Sequence, residues 1–227
     1  MERWPTTSAL ANASDADVLR AWHSLGYPRR ALALHRAAAI IRDEHGGTVP
    51  HDERALLALP GVGSYTAAAI RAFAFGDEVA VVDTNVRRVL ARYTGTPPGT
   101  PAEEAARLLE NLPQPKALAS EALMELGAIY CRPAPLCPAC PLRATCAWRG
   151  DGEDPAPARR PQKFAGTDRQ ARGRIMAYLR DAEWAARPLL ITLATVSDDD
   201  AQAARALDSL VSDGLVTEVS GAYRLGG

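Results

Sequence analysis

Apolar positions over the first 130 residues recur at helical spacing, and turn residues cut the pattern into short helices. Ser14 to Ser24 reads as one helix, with Ser14 as N-cap and Asp17 three residues later near the capping-box position. Pro28 introduces the next, Ala31 to His45, which Gly46-Gly47 ends. His51 to Leu59 and Ser64 to Phe75 form a helical pair around Leu59-Pro60-Gly61-Val62-Gly63, whose glycines permit positive φ and close backbone approach. Val79-Ala80-Val81-Val82 is a short apolar, β-branched run, followed by Asp83 and a helix from Val86 to Tyr93 with Thr84 or Asn85 as its N-cap. Ala102 to Leu112 and Ala117 to Tyr130 are further helices, and Met124, Leu126 and Ile129 are expected to turn the latter towards a core.

Beyond Trp148 the pattern changes. Gly150 to Gln162 (GDGEDPAPARRPQ) is charged, rich in Pro and Gly and without periodicity, so it is expected to run over the surface as a linker. Gln170 to Arg180 then reads as a helix, Leu189 to Val196 as an apolar segment and Asp200 to Ser212 as an amphipathic helix. Two short β-patterned runs, Gly214 to Val219 and Ala222 to Leu225, flank Ser220-Gly221 as a hairpin. The organisation predicted is mostly α: a helical core over 1–130, a cysteine loop over 131–148, a linker over 149–168 and a small winged-helix-like unit over 169–227.

Composition narrows the class without fixing it. No apolar run approaches the roughly 20 residues that span a bilayer, and no secretory signal opens the chain, so a soluble cytoplasmic protein is expected. A net charge of −1 argues against a protein that coats DNA indiscriminately. Arginine far outnumbers lysine, which occurs only as Lys116 and Lys163, a bias that suits bidentate phosphate contacts.

Three clusters carry chemistry. All four cysteines, Cys131, Cys137, Cys140 and Cys146, fall in one window spaced C-x5-C-x2-C-x5-C. That is a complete thiolate set for an iron-sulfur cluster or a zinc ion, which spacing alone does not separate; disulfides require an oxidising compartment. The LPGVG turn between two helices is a helix-hairpin-helix signature that offers backbone N–H groups to a phosphate, although an ordinary tight turn between helices reads the same way. Asp83 stands at the positive end of a helix, either as a simple cap or as an ionised functional carboxylate.

Taken in order, LPGVGSYTA, VVDTNVRRVL and MELGAIYC…CPACPLRATC resemble the endonuclease III superfamily of DNA glycosylases, and within it the adenine glycosylases of the MutY type. The resemblance runs from about Trp4 to Trp148, and Gln162 to Arg174 is similar to the tail of bacterial members. It implies a helix-hairpin-helix core, a 4Fe-4S cluster on the four cysteines, Asp83 as the catalytic aspartate, and DNA held by Leu59, Pro60, Gly61, Val62, Gly63, Tyr65, Thr66 and Asn85. It further implies that Tyr27 is an aromatic wedge for the base stack, with Arg29 and Arg30 beside it as phosphate contacts. In the lyases of the superfamily a lysine occupies the position of Tyr65 and forms a Schiff base; Tyr65 cannot, and Asn85 in a DxN pattern fits the adenine-specific members, so a monofunctional hydrolase is expected.

The function implied is excision of adenine mispaired with 8-oxoguanine or guanine in double-stranded DNA, by a monomer that associates with the nucleoid. Alternatives are an endonuclease III-like lyase, a mismatch thymine glycosylase, and a non-catalytic DNA-binding protein using the hairpin and the winged helix. Two departures from the family stand out. The first cysteine gap is one residue shorter than usual. The chain also starts inside the family pattern, so the helix expected to carry a general-acid glutamate is not in it, and a start codon assigned too far downstream is the expected cause. Without that acid the reaction is expected to slow by roughly 10²- to 10⁴-fold. Glu103, Glu104 and Glu125 do not match a family position. About 60 residues after the linker are too few for the Nudix-like domain of longer members.

Overall fold

A computed structural model describes residues 2–100, 103, 113, 115–156, 163–199 and 201–226. Contacts divide the chain into two compact units. The first comprises Met1–Pro50, Leu59–Gly61 and Pro161–Gly227; the second comprises His51–Ala58 and Val62–Arg160.

The first unit begins with helix α1, Thr7–Ala11, started by Thr6, whose hydroxyl accepts from the Ala9 N–H at 3.1 Å. Helix α2, Asp15–Trp22, has the predicted cap: Ser14 Oγ accepts from the Asp17 N–H at 3.1 Å and donates to the Asp17 carboxylate at 2.7 Å. It stops two residues earlier than the pattern predicts because His23 turns to φ 48° and the Trp22 indole N–H closes on the Gly26 carbonyl. Helix α3 follows over Arg29–Glu44.

Near its end the chain forms α8, Asp168–Asp181, a two-residue strand β1, Ala185–Ala186, α9, Arg187–Ala194, and α10, Gln202–Ser212. Strands β2, Val216–Val219, and β3, Ala222–Leu225, complete a three-stranded sheet in the order β1-β3-β2. The predicted hairpin forms in register, Val219 opposite Ala222, with Ser220 and Gly221 both at positive φ as a two-residue turn of this twist requires. The apolar stretch from Leu189 is a helix, because Pro188 stands in its first turn, where a missing N–H costs no bond.

These terminal elements do not make a core of their own. Ile175, Leu179, Leu190, Leu207, Leu210, Tyr223 and Leu225 share one buried cluster with Val18, Leu19, Ala31 and Leu32 of α2 and α3. The contacts divide at Arg160 and Pro161, within the expected linker, and the segment after it groups with Met1–Pro50 in one unit.

The second unit holds α4, Glu53–Ala58, and α5, Ser64–Ala69, which continues as a π-helical turn, Ile70–Ala74, where α-helix to Phe75 was predicted. Helix α6 spans Thr84–Thr94 and ends at Gly95 in the left-handed conformation. Its N-cap is Asp83, not Thr84 or Asn85, because the Asp83 carboxylate reaches the Val86 N–H. Helix α7, Lys116–Ile129, packs on α6 through Leu123, Met124 and Gly127, while Ser120 meets Val81 just before α6. Ile129, predicted to face a core, is 53% exposed, since the buried face follows 120, 123, 124 and 127 instead. The helix predicted over residues 102–112 lies outside the described residues, apart from Glu103, whose carboxylate and backbone pair with Thr100 at a helix start.

Candidate functional site

Asp83 is fixed at both carboxylate oxygens. Oδ1 accepts from the Val86 N–H at 2.7 Å and Oδ2 from the Asn85 side-chain amide at 2.9 Å. The preceding segment is anchored too: Val81 is fully buried, and its N–H donates to Ser120 Oγ at 3.1 Å. A carboxylate at a helix N-terminus feels the positive end of the dipole, which favours its ionised form.

From Asn85 a chain of hydrogen bonds continues along α6. Arg88 Nη2 donates to Asn85 Oδ1 and to the Gly127 carbonyl, both at 2.8 Å, and Arg88 Nε donates to the Cys131 carbonyl at 2.6 Å. Close helix approach makes this possible: a Cβ on Gly127 would lie 2.6 Å from the Asn85 Cβ. Burial lowers the pKa of the Arg88 guanidinium, partly countered by the Cys131 sulfur.

One turn on, Arg92 is 2% exposed. It donates to the Arg132 carbonyl at 2.6 Å, approaches Cys131 Sγ at 3.5 Å and pairs with Asp154 at 2.6 Å, while stacking 4.6 Å from the Trp148 ring centroid. Burial works against its charge, but Asp154 and Cys131 overcome this and raise its pKa; the same hydrogen bonds hold Asp154 below the usual carboxylate range. The first part of the predicted surface linker is therefore held down at Asp154 and at buried Ala156. Arg88, Arg92, Trp148 and Asp154 were not singled out from the sequence. Asn85, Arg88 and Arg92 stand at i, i+3 and i+7, one helical face, which is the signal that marks them as a set.

Cys131, Cys137, Cys140 and Cys146 line one cavity together with Arg92 and Trp148. Burial, and then the charges of the other three sulfurs, push the Cys137 thiol pKa up. Four sulfurs around one cavity are a complete thiolate set for an iron-sulfur cluster or a zinc ion.

At the hairpin, Leu59 is buried and serves packing; Pro60, Val62 and Thr66 are half-buried, and Gly61, Gly63 and Tyr65 are exposed. Gly61 has φ 78°, and a Cβ on it would lie 2.9 Å from the Ala33 Cβ, so glycine is required there by the fold. Gly63 is different. It caps α5 without a side chain, has ordinary φ −97° and faces open space, leaving the first N–H groups of α5 uncovered. Lys116 is buried at the start of α7, far in sequence from the hairpin.

In the other unit Tyr27 and Arg30 are exposed. Arg29, in contrast, is occupied by Asp213, to which Nε donates at 2.7 Å. Among the described residues no helix is long and apolar enough to cross a membrane.

Residues 1–115 match the family described as HhH-GPD superfamily base excision DNA repair protein. The chain belongs to that superfamily. It is 48% identical to the adenine DNA glycosylase of Mycobacterium tuberculosis and 46% identical to that of Mycolicibacterium smegmatis, covering all of this chain and 77% and 79% of theirs. The human adenine DNA glycosylase is 40% identical over 66% of this chain and 29% of its own length. Among solved structures, a thermostable thymine-DNA glycosylase superposes with a TM-score of 0.61 at 28% identity, and a trapped endonuclease III–DNA covalent intermediate with 0.61 at 27%; each covers 66% of this chain and 72% of the other. The two mycobacterial relatives align over the whole chain, so the small sheet unit at its end has a counterpart in them.

Proposed function

We propose that this base excision repair protein is a monofunctional adenine DNA glycosylase, hydrolysing the N-glycosidic bond of adenine opposite 8-oxoguanine or guanine in double-stranded DNA. Whole-chain similarity to proteins named adenine DNA glycosylases supports the substrate, and the doubly held Asp83 carries the chemistry. Cleaving an N-glycosidic bond puts positive charge on the sugar, and a carboxylate locked in place stabilises that charge without reorganising. Tyr65 stands near the start of α5 with no amine to offer the sugar, which favours hydrolysis over strand cleavage. The bare first turn of α5 at Gly63 suits a DNA phosphate, and Tyr27 and Arg30 supply a ring and a charge to the same polymer.

Cys131, Cys137, Cys140 and Cys146 would hold a 4Fe-4S cluster, which when bound supplies iron–thiolate bonds that close the loop as a small unit. Arg92 and Arg88 hold the carbonyls and one sulfur of that loop against α6. The protein is expected to act as a monomer in the cytoplasm, on nucleoid DNA. Binding without catalysis through the winged-helix-like unit is less supported. On α10 the one arginine, Arg205, is neutralised by Asp199 at 2.7 Å and Asp168 at 3.8 Å.

The deciding experiment incubates the protein with a duplex containing adenine opposite 8-oxoguanine. Free adenine is expected on prolonged single-turnover incubation, with strand breaks only after alkali and little covalent product on borohydride treatment. Asp83→Asn should bind the duplex and release at least about 10²-fold less adenine, the scale of losing one electrostatic stabiliser. Thymine release from a T:G duplex, or efficient borohydride trapping, would replace this reading with one of its two enzymatic rivals.

A further inference from the structure

Tyr27 sits in a turn with φ 47°, a left-handed conformation that costs a non-glycine residue about 1–2 kcal/mol. Its ring is 62% exposed, so burial does not compensate. A residue more than 130 positions away holds it instead. The Arg169 guanidinium lies 5.1 Å from the Tyr27 ring centroid and 5.7 Å from that of Phe164, itself 53% exposed. One cation thus bridges two rings that both remain in water.

Charge pairing does not account for the cluster either. Nearby Arg29 and Arg172 are both neutralised by Asp213, whereas Arg30, Lys163 and Arg169 make no ion pair among the described residues. Three cations without an ion pair among the described residues, one against two open aromatic rings and two close to them in sequence, complement a polyanion whose bases stack.

We propose that Tyr27, Phe164 and Arg169 form one contact surface for duplex DNA at the damaged step, with Arg169 as its positioning residue. This rests on the reading of the chain as a glycosylase of double-stranded DNA. The stack on Arg169 fixes the Tyr27 ring in one orientation for insertion between bases, which offsets part of the cost of unstacking. The Arg169 side chain donates no hydrogen bond among the described residues, so its N–H groups are open to phosphate, alongside Arg30 and Lys163.

The test uses the full 227-residue chain and a duplex carrying a tetrahydrofuran abasic analogue opposite guanine, with 2-aminopurine beside it as a reporter of unstacking. Binding should raise the reporter's fluorescence, and Tyr27→Ala should abolish the rise. Arg169→Ala should reduce it several-fold and lower the slope of log Kd against log salt by about one. Arg169→Lys should keep the slope, because the charge remains, yet lose most of the rise, because the planar stack is gone. In the Tyr27→Ala background Arg169→Ala should leave the fluorescence unchanged. If Arg169→Ala, Arg169→Lys and Phe164→Leu all unstack and bind as the parent does while adenine is still released, the surface is overturned and the glycosylase reading stands. If mismatched duplexes release thymine rather than adenine while the fluorescence still depends on Tyr27 and Arg169, the adenine reading fails and the surface stands.

Discussion

Asp83 shows how one side chain serves structure and chemistry together: one oxygen starts a helix and the other is steered by Asn85. Removing such a residue does not separate the two roles, but an isosteric amide can still accept at the cap, which is why Asp83→Asn is informative. Arg92 poses the complementary case, a buried cation whose partners are carbonyls and a carboxylate. Arg92→Met keeps most of the stem but leaves buried acceptors without a donor, at about 1–3 kcal/mol for each group left unsatisfied. A fall in urea stability of at least about 2 kcal/mol is expected, with a lower iron-to-protein ratio on purification. An unchanged iron ratio would show that the cysteine loop closes without Arg92.

At the scale of elements, two glycines of one turn are expected to fail differently. Gly61→Ala forces positive φ and a close contact with Ala33, so it should destabilise the protein by about 1–3 kcal/mol. Gly63→Ala meets no atom within 4 Å, so thermal stability should hold while DNA affinity falls, because a methyl group now stands where phosphate approaches. Binding titrations beside melting curves check both. A third glycine lies between helices. Gly127→Ala gains about 1 kcal/mol of helix propensity but sets a Cβ 2.6 Å from Asn85, and overpacking at about 1–3 kcal/mol outweighs the gain. Net destabilisation is expected, with slower base release because Asn85 no longer holds Asp83. Faster release would show that the contact is not tight.

At the scale of the whole molecule, the first unit is tied between its distant segments by Asp213, which bonds Arg29 of α3 and Arg172 of α8. Burial of Asp213 opposes its charge, yet both arginines overcome this and hold its pKa below the ordinary 3.8. A depressed carboxylate contributes stability that is full above its unfolded pKa and lost as pH falls through its folded one. Asp213→Asn should therefore lower the urea midpoint at pH 7, and the gap to the parent should narrow below about pH 4. A gap that widens in acid would exclude the ion pair as its source.

Much of this protein follows from local pattern. The Ser14 cap, the helices around LPGVG, the Ser220-Gly221 hairpin and the grouping of four cysteines are all decided within a few residues, where propensity, turn chemistry and periodicity agree. Other features are invisible at that range. Which residue caps α6 depends on where the Asp83 carboxylate points, and the buried face of α7 depends on how closely Gly127 lets it approach Asn85. The Arg92–Asp154 pair joins residues 62 positions apart, and the Tyr27–Arg169 contact joins residues 142 positions apart. The last helices and sheet pack on α2 and α3 as well as on one another, in one buried cluster, and only packing in three dimensions chooses what covers each apolar face.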